Sequence, residues 1–327
     1  MEWPIEPPKE TRNRCIPCIR ASIEFPEEDY NNNPHKTHRG GLEGKVALIT
    51  GGNSGIGLAT AKQFVNEGAY VYISGRRDTE LAAAVKEIGK NVTGVQGDVS
   101  NLGDLDRLFA QIKRQSGKLD IVFANAGVAR YAALGAISEE FFDAIFDTNV
   151  KGLLFTVQKA LPLLPDGASI ILNASIVGSK GLATNSVYSA TKAVVRSFAR
   201  TWTTDLKDRR IRVNAVSPGS IDTPGARALL ASSEVGEKRK KMIADSVPLG
   251  RFGTPDETAK AHAFTFSATD HTARHIPCQC SAAGICDSFV SGRQGVSGQL
   301  PPQGVHVGAA FSGAEQFREI ARENHPG

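Results

Sequence analysis

Between residues 45 and 216, short apolar runs alternate with stretches in which apolar residues recur three and four positions apart. The first run, Lys45-Val-Ala-Leu-Ile-Thr50, shows no polar alternation and reads as a strand buried on both faces. A helix follows over 56–66, with Gly68 as its stop. The same reading predicts strands over 70–74, 94–96, 119–124, 169–173 and 211–216. Helices are predicted over 80–88, 102–115, 139–164 and 186–206. Strands that alternate with crossover helices form a parallel sheet covered on both faces. The expected fold is therefore α/β, a single domain with a doubly wound, mainly parallel sheet.

The ends depart from this pattern. Residues 1–40 hold six prolines and thirteen charged residues without a sustained period, and read as a disordered N-terminal extension. The folded domain spans 41–270. Within it the spacing lapses over 221–250, where small, flexible and charged residues follow the sixth strand. An insertion there lies on the carboxyl side of the sheet and reads as a substrate lid. Its Ala228, Leu229, Leu230 and Met242 suit a pocket wall or ordinary helix packing. Residues 271–327 form a divergent tail in which the pattern shows no further strand.

Composition narrows the function classes. A chain of 327 residues with 41% hydrophobic and 22% charged residues is ordinary for a soluble globular protein. No apolar run approaches the roughly eighteen residues of a membrane span. The net charge of +4 gives no case for a nucleic-acid or membrane partner. The one basic cluster, Lys238-Arg-Lys-Lys241, reads as a solvated helix face. The opening Met1-Glu-Trp-Pro-Ile-Glu-Pro-Pro lacks the basic start and apolar core of a signal peptide, so the expected location is cytoplasmic. Cys15-Ile-Pro-Cys18 has metal or redox spacing, but Cys278, Cys280 and Cys286 form no second such pair. Free thiols and no metal site are expected.

The chemistry begins at Thr50-Gly51-Gly52-Asn53-Ser54-Gly55-Ile56-Gly57, between the first strand and helix. Glycines there permit close backbone approach, and the helix N-terminus offers free amides and a positive dipole end to phosphate. A dinucleotide is the expected ligand. Where many such sites carry an acid after the second strand, this chain has Gly75 followed by Arg76 and Arg77. A guanidinium there favours a 2′-phosphate, so NADP is the expected cofactor and NAD the alternative. Further along, Tyr188 and Lys192 stand four apart on a predicted helix, and Ser175 follows the fifth strand. A neighbouring ammonium lowers a phenol's pKa, which would let Tyr188 exchange protons near neutrality.

The T-G-x-x-x-G-x-G spacing resembles the short-chain dehydrogenase/reductase family, including its 3-oxoacyl-reductase-like and glucose-dehydrogenase-like members. Asp98 with Val99, Asn125-Ala126-Gly127, Asn149, Ser175, Tyr188, Lys192, Pro218-Gly219, Ile221 and Thr223 follow in the family's order, over about 42–268. The resemblance implies a Rossmann-type sheet and an NAD(P)-dependent hydride transfer between nicotinamide and a ketone or secondary alcohol. It implies Asn149, Ser175, Tyr188 and Lys192 as the catalytic set, with Asn149 holding a water. For the cofactor it implies Gly51, Asn53, Ser54, Gly55, Ile56, Gly57, Asp98, Val99, Asn125, Ala126, Gly127, Tyr188, Lys192, Pro218, Gly219, Ile221 and Thr223. Asp98 would meet the adenine and Thr223 the carboxamide. A small carbonyl or alcohol substrate and a homo-oligomer are also implied.

The family's closing strand, ending in a V-D-G-G-like sequence, has no counterpart in the pattern after Asp270. Its loss would expose a sheet edge and an assembly surface. The alternative function is thus an NADP-binding regulatory or interaction protein with little catalysis. Ser175, Tyr188 and Lys192 favour the enzyme, because a binding module has no need of a proton-transfer set. A 3-oxoacyl thioester, a steroid, a sugar and a secondary-metabolite ketone remain open as substrates.

Overall fold

The computed structural model describes residues 41–230, 234–267 and 275–278. One sheet contains β1 (Val46–Thr50), β2 (Tyr70–Gly75), β3 (Val92–Gln96), β4 (Ile121–Ala124), β5 (Ser169–Asn173), β6 (Arg212–Pro218) and β7 (His275–Cys278). Its order is β3-β2-β1-β4-β5-β6-β7, with every neighbouring pair parallel. The helices are α1 (Gly55–Asn66), α2 (Asp78–Ile88), α3 (Leu102–Gln115), α4 (Glu139–Phe146), α5 (Leu153–Ala160), α6 (Ser186–Asp205), α7 (Pro224–Leu230), α8 (Glu234–Asp245) and α9 (Pro255–Ser267). The chain winds outward from β1 to β3, returns to β4 beside β1 and continues to β7. This is the doubly wound Rossmann-type sheet, and its reversal opens a crevice beyond the carboxyl ends of β1 and β4.

The apolar runs follow from burial on both faces. Successive side chains of a strand point to opposite sides. Ala47 and Ile49 join Phe64, Val65 and Leu81 in one core, while Leu48 joins Leu108, Ile112, Val157 and Val195 in the other. β4 divides likewise, with Ile121 and Phe123 on one side and Val122 and Ala124 on the other. Neither face meets water, so no polar alternation survives in these strands.

Three elements differ from expectation. The single helix expected over 139–164 is α4, a π-helical segment Asp147–Gly152, α5 and a 3-10 turn Leu161–Leu163. Gly152 allows this segment against Val99, whose Cγ2 lies 2.8 Å from where a Cβ would sit. The extra residue of a π turn rotates the side chains that follow it, and such turns recur at functional sites. The lid, where the strand-helix spacing of the sequence lapses, holds helices α7 and α8. A seventh strand does exist. β7 pairs with β6 from Ala215↔His275 to Pro218↔Cys278. Four residues with a proline escape an apolar-run criterion, yet Pro277 is tolerated because, among the described residues, β7 has a neighbour on one side only. The expected N-terminal extension over 1–40, most of the tail over 271–327, and Cys15, Cys18, Cys280 and Cys286 lie outside the described residues. Among those described, no helix is long and apolar enough to cross a membrane.

α9 covers α1 through a buried histidine. Thr60 donates to the Ile56 carbonyl at 2.8 Å, so His262 Nδ1, 3.1 Å from Thr60 Oγ1, carries the proton between them. The ring lies 4.2 Å from Phe123 between centroids, and Nε2 is buried without a partner among the described residues. Burial pulls the His262 pKa from 6.5 down to about 3. Between these values the unfolded chain binds a proton that the folded chain refuses, so stability falls as pH drops through this window. The loss is up to about 1.4 kcal/mol per pH unit. Urea midpoints should therefore fall less steeply between pH 7 and 5 in His262→Leu than in the parent. Parallel falls would show that this ring does not contribute to acid sensitivity.

Candidate active site

The glycine turn leaves α1 with an open N-terminus. Ser54, the residue before the helix, is extended (φ −163°, ψ 166°) and makes no side-chain cap bond, and the first turn carries no acid. The first amides of α1 therefore lack a side-chain acceptor at the positive end of the helix dipole. A Cβ on Gly57 would lie 2.2 Å from the Gly51 carbonyl oxygen and 2.6 Å from Asn125 Nδ2, so only glycine permits this packing. Gly52, which the motif reading passed over, is equally closed, with Ile73 Cγ2 2.6 Å from a Cβ position. An uncapped, glycine-lined helix N-terminus at the crevice is a donor set that fits the pyrophosphate of a dinucleotide.

Asn125 ties the strand ends together. Its Nδ2 donates to the Thr50 and Gly51 carbonyls at 2.9 and 3.3 Å, and its Oδ1 accepts from Asn173 Nδ2 at 2.8 Å. Thr50 Oγ1 accepts from the backbone amides of Asn125 and Ala126 at 3.0 and 3.1 Å. The turn after β1 is thereby locked to the ends of β4 and β5.

At the end of β2, a Cβ on Gly75 would lie 2.6 Å from Asn53 Oδ1, so a side chain there would require Asn53 to shift. Arg76 pairs loosely with Asp98, Nη1 to Oδ2 at 3.7 Å, and its side chain is 60% exposed. Arg77 turns to Glu80 at 3.1 Å. Arg76, Gln96, Gly97, Asp98, Asp104 and Arg107 line a groove here. Asp98 does not cap α3; Asn101 does, accepting from the Gly103 and Asp104 amides. Asp98 instead accepts from Ser100 N and Oγ at 2.9 and 2.7 Å. The Asp98 amide donates to Asp104 at 2.8 Å, and that bond leads the causes holding the Asp104 carboxyl below its usual range. Val99 packs under the groove in the core.

Ser175, Tyr188 and Lys192 converge on the neighbouring part of the crevice. Ser175 follows β5, with its hydroxyl accepting from Val177 N at 3.4 Å. Tyr188 and Lys192 lie on α6, the ammonium 5.5 Å from the phenol ring centroid. Lys192 is 4% exposed and donates to the Asn173 carbonyl at 2.7 Å. Burial lowers its pKa to about 8. Tyr188 still reaches the crevice, but the protein around it strips enough water to push its pKa up to about 12. Tyr131 adds to the rise and a side-chain hydrogen bond with Ser175 opposes it. This corrects the expectation that Lys192 lowers the phenol toward neutrality. The ammonium is itself desolvated and engaged by Asn173, so burial decides the sign.

Asn149 sits in the π-helical segment, 1% exposed. Its Oδ1 accepts from Val128 N at 2.8 Å, and its Nδ2 donates to Val128 O at 2.9 Å and Thr191 Oγ1 at 3.2 Å. A Cβ on Gly127 would lie 3.2 Å from Asn149 Oδ1 and 3.7 Å from Lys192 Nζ. The loop after β4 is thus held against α6 by one amide.

The lid is pinned at its base. Beyond Pro218 and Gly219, Ile221 bridges Gly253, the Asp222 amide donates to Gly253 O at 2.8 Å, and the Gly253 amide donates to Ser220 O at 2.9 Å. Thr223 lies on the glycine turn, its Cβ 3.2 Å from a Cβ position on Gly55, and its Oγ1 accepts from Ala226 N at 3.1 Å. Farther along, the Arg239 guanidinium stands 4.4 Å over the Tyr131 ring. Leu229, Leu230 and Met242 are half-buried and Ala228 is exposed.

A model of the family described as enoyl-(acyl carrier protein) reductase matches residues 51–273. The chain belongs to the short-chain dehydrogenase/reductase family. It is 47% identical over 229 residues to oxidoreductase asL5 of Sarocladium schorii, covering 69% of this chain and 90% of that one. It is 37% identical over 231 residues to the 3-oxoacyl-[acyl-carrier-protein] reductase FabG of Thermotoga maritima, covering 69% and 92%. It is 34% identical over 241 residues to tetrahydroxynaphthalene reductase of Pyricularia oryzae, covering 69% and 84%. Membership in this reductase family makes the protein an NAD(P)-dependent oxidoreductase acting on CH–OH or C=O groups.

Each expected residue lies along the one carboxyl edge, from Arg76 at the groove to Thr223 at the lid. Tyr131 and Arg239 were not anticipated. Tyr131 lies in a loop without periodicity, and Arg239 was read as part of a solvated run; the inward turn of one residue among four basic ones leaves no mark in the sequence. Among the described residues no group of three His, Cys, Asp or Glu is placed to hold a metal. Asn149→Ala would leave the Val128 amide and carbonyl without their partner and should lower unfolding free energy by about 2–3 kcal/mol in urea titration. An unchanged midpoint would show that other contacts hold this loop.

Proposed function

We propose that the protein is an NADPH-preferring reductase of a planar, hydroxylated ketone, with Tyr188 as the proton donor. The observation that carries this reading is the convergence of Ser175, Tyr188 and Lys192 beside an uncapped glycine turn. The nicotinamide, when bound, supplies the hydride. Ser175 donates a hydrogen bond to the substrate oxygen as negative charge develops there. Tyr188 then transfers its proton to that oxygen. A phenol pushed up to about 12 is protonated at neutral pH, which suits reduction, and an oxygen turning into an alkoxide is basic enough to take the proton.

Lys192 holds the nicotinamide-side ribose hydroxyls, and its charge supports the phenolate left after transfer. Gly51, Asn53, Ser54, Gly55, Ile56 and Gly57 cradle the pyrophosphate. Asn125, Ala126 and Gly127 line the ribose side, Asp98 and Val99 the adenine, and Pro218, Gly219, Ile221 and Thr223 the nicotinamide. Asn149 positions the loop opposite Lys192 through Val128. Arg76 takes the 2′-phosphate, supported by its weak pairing with Asp98 and by the absence of an acid at residue 75. The relative named tetrahydroxynaphthalene reductase acts, by its name, on a hydroxylated fused ring, and Tyr131, on the loop bound to Thr184 ahead of α6, offers a flat face for such a molecule.

Tyr188→Phe should lower turnover about 10²–10⁴-fold while NADPH affinity, read by fluorescence titration, stays within about threefold. Parent-like turnover in that variant would remove the proposed acid, and NADPH binding by the parent without turnover on a carbonyl panel would favour a regulatory role. Reductive kcat/KM should hold steady from pH 6 to 7.5 and decline above about 8, where Lys192 loses its proton. A profile flat to pH 10 would contradict the assigned part for that charge. Arg76→Ala should reduce the preference for NADPH over NADH about tenfold, measured as a ratio of kcat/KM values.

A further inference from the structure

The run Lys238-Arg239-Lys240-Lys241 is not a uniform solvated face. Lys238, Lys240 and Lys241 are exposed, whereas Arg239 is half-buried with its guanidinium 4.4 Å over the Tyr131 ring. The Tyr131 loop is tied to the approach to α6, where the Ala132 amide donates to the Thr184 carbonyl at 2.9 Å, four residues before Tyr188. Arg239 therefore stands over the ring of a loop bound beside the start of the helix that carries Tyr188. Two of the lid's carboxylates answer to other cations, Asp222 to Arg227 at 2.7 Å and Asp245 to Lys241 at 2.6 Å. Among the described residues Arg239 has no carboxylate partner. A cation over an aromatic face gains about 0.5–2 kcal/mol from the ring, yet the ring supplies no acceptor for the five guanidinium donors.

We infer that Arg239 is the lid's recognition group for an anionic substituent on the substrate, an ionised ring hydroxyl or a carboxylate conjugated to a flat ring, with Tyr131 setting the plane in which it binds. The inference rests on the ketone-reductase reading and narrows its substrate class to ionised aromatic ketones. An anion in this place would accept two parallel bonds from the fork while its ring lay along Tyr131. A neutral analogue would leave the guanidinium partly desolvated and unmatched.

The test uses 2-hydroxy-1,4-naphthoquinone, an anion at neutral pH, and its neutral 2-methoxy ether, titrated calorimetrically into the full chain with and without NADP⁺. The anion should bind at least about tenfold more tightly than the ether. Arg239→Met, which keeps the stem and removes the charge, should bring the two within about threefold. Tyr131→Phe, which keeps the ring, and Lys238→Met, which removes an exposed neighbour, should preserve the preference. Equal affinities in the parent would overturn the inference, and so would a preference that survives Arg239→Met. A Lys238→Met loss as large as that of Arg239→Met would also overturn it, by assigning the effect to bulk lid charge. Binding is read apart from turnover, so failure of anion recognition is distinguishable from failure of the reductase reading.

Discussion

Asn125 joins three strand ends that hydrophobic burial cannot align. Apolar packing is non-directional, and it holds β1, β4 and β5 side by side without specifying where their chains leave the sheet. Parallel strands lose their ladder partners at the carboxyl edge, where the chain turns away into loops. Asn125 takes up the Thr50 and Gly51 carbonyls on one side and the Asn173 amide on the other. Asn173 passes the constraint on, since its own carbonyl accepts from Lys192. A line of five residues thus fixes the glycine turn relative to the helix that carries Tyr188. Loss of any member would leave polar groups buried at the point where position matters most.

The same enclosure sets the electrostatics. Lys192 and Tyr188 are close, and a pair of opposite charges would ordinarily favour both charged forms. Here each group moves toward neutrality, the ammonium to about 8 and the phenol to about 12. Desolvation prevails because α6 lies against the sheet edge and the Asn173 carbonyl already engages the ammonium. The phenol therefore keeps its proton at neutral pH.

Legibility in the sequence tracked how local each signal was. Helix α3 is amphipathic throughout, and its bounds match the reading from Leu102 to Gln115 because one stripe of apolar residues specifies it. The glycine turn and the four-residue spacing of Tyr188 and Lys192 were equally readable, as short patterns whose spacing is their geometry. The break at Asp147–Gly152 was not, because a π turn depends on Gly152 meeting Val99 from a distant loop. β7 escaped for a related reason. Its four residues carry little apolar content, and only pairing with β6 makes them a strand. The bonds between the Asn149 side chain and Val128 were not readable either, because no spacing in the chain encodes that partner.

The lid shows why a single insertion touches both halves of the site. Its base cannot drift, because the bridge between Ile221 and Gly253 closes the segment on itself. The first residue beyond that closure that meets the nucleotide turn is Thr223, packed where Gly55 has no side chain. α7 then leads to α8, and α8 brings Arg239 over Tyr131. With the base fixed, the two contacts are not independent. A shift of α8 that moved the guanidinium off the ring would have to be absorbed between Pro224 and the lid's far end, or else pull Thr223 from the turn. A closed loop with contacts at its root and its middle has few ways to move. Where it lies is set by the packing of Thr223 on the turn and by the guanidinium over the Tyr131 ring rather than by its apolar residues alone.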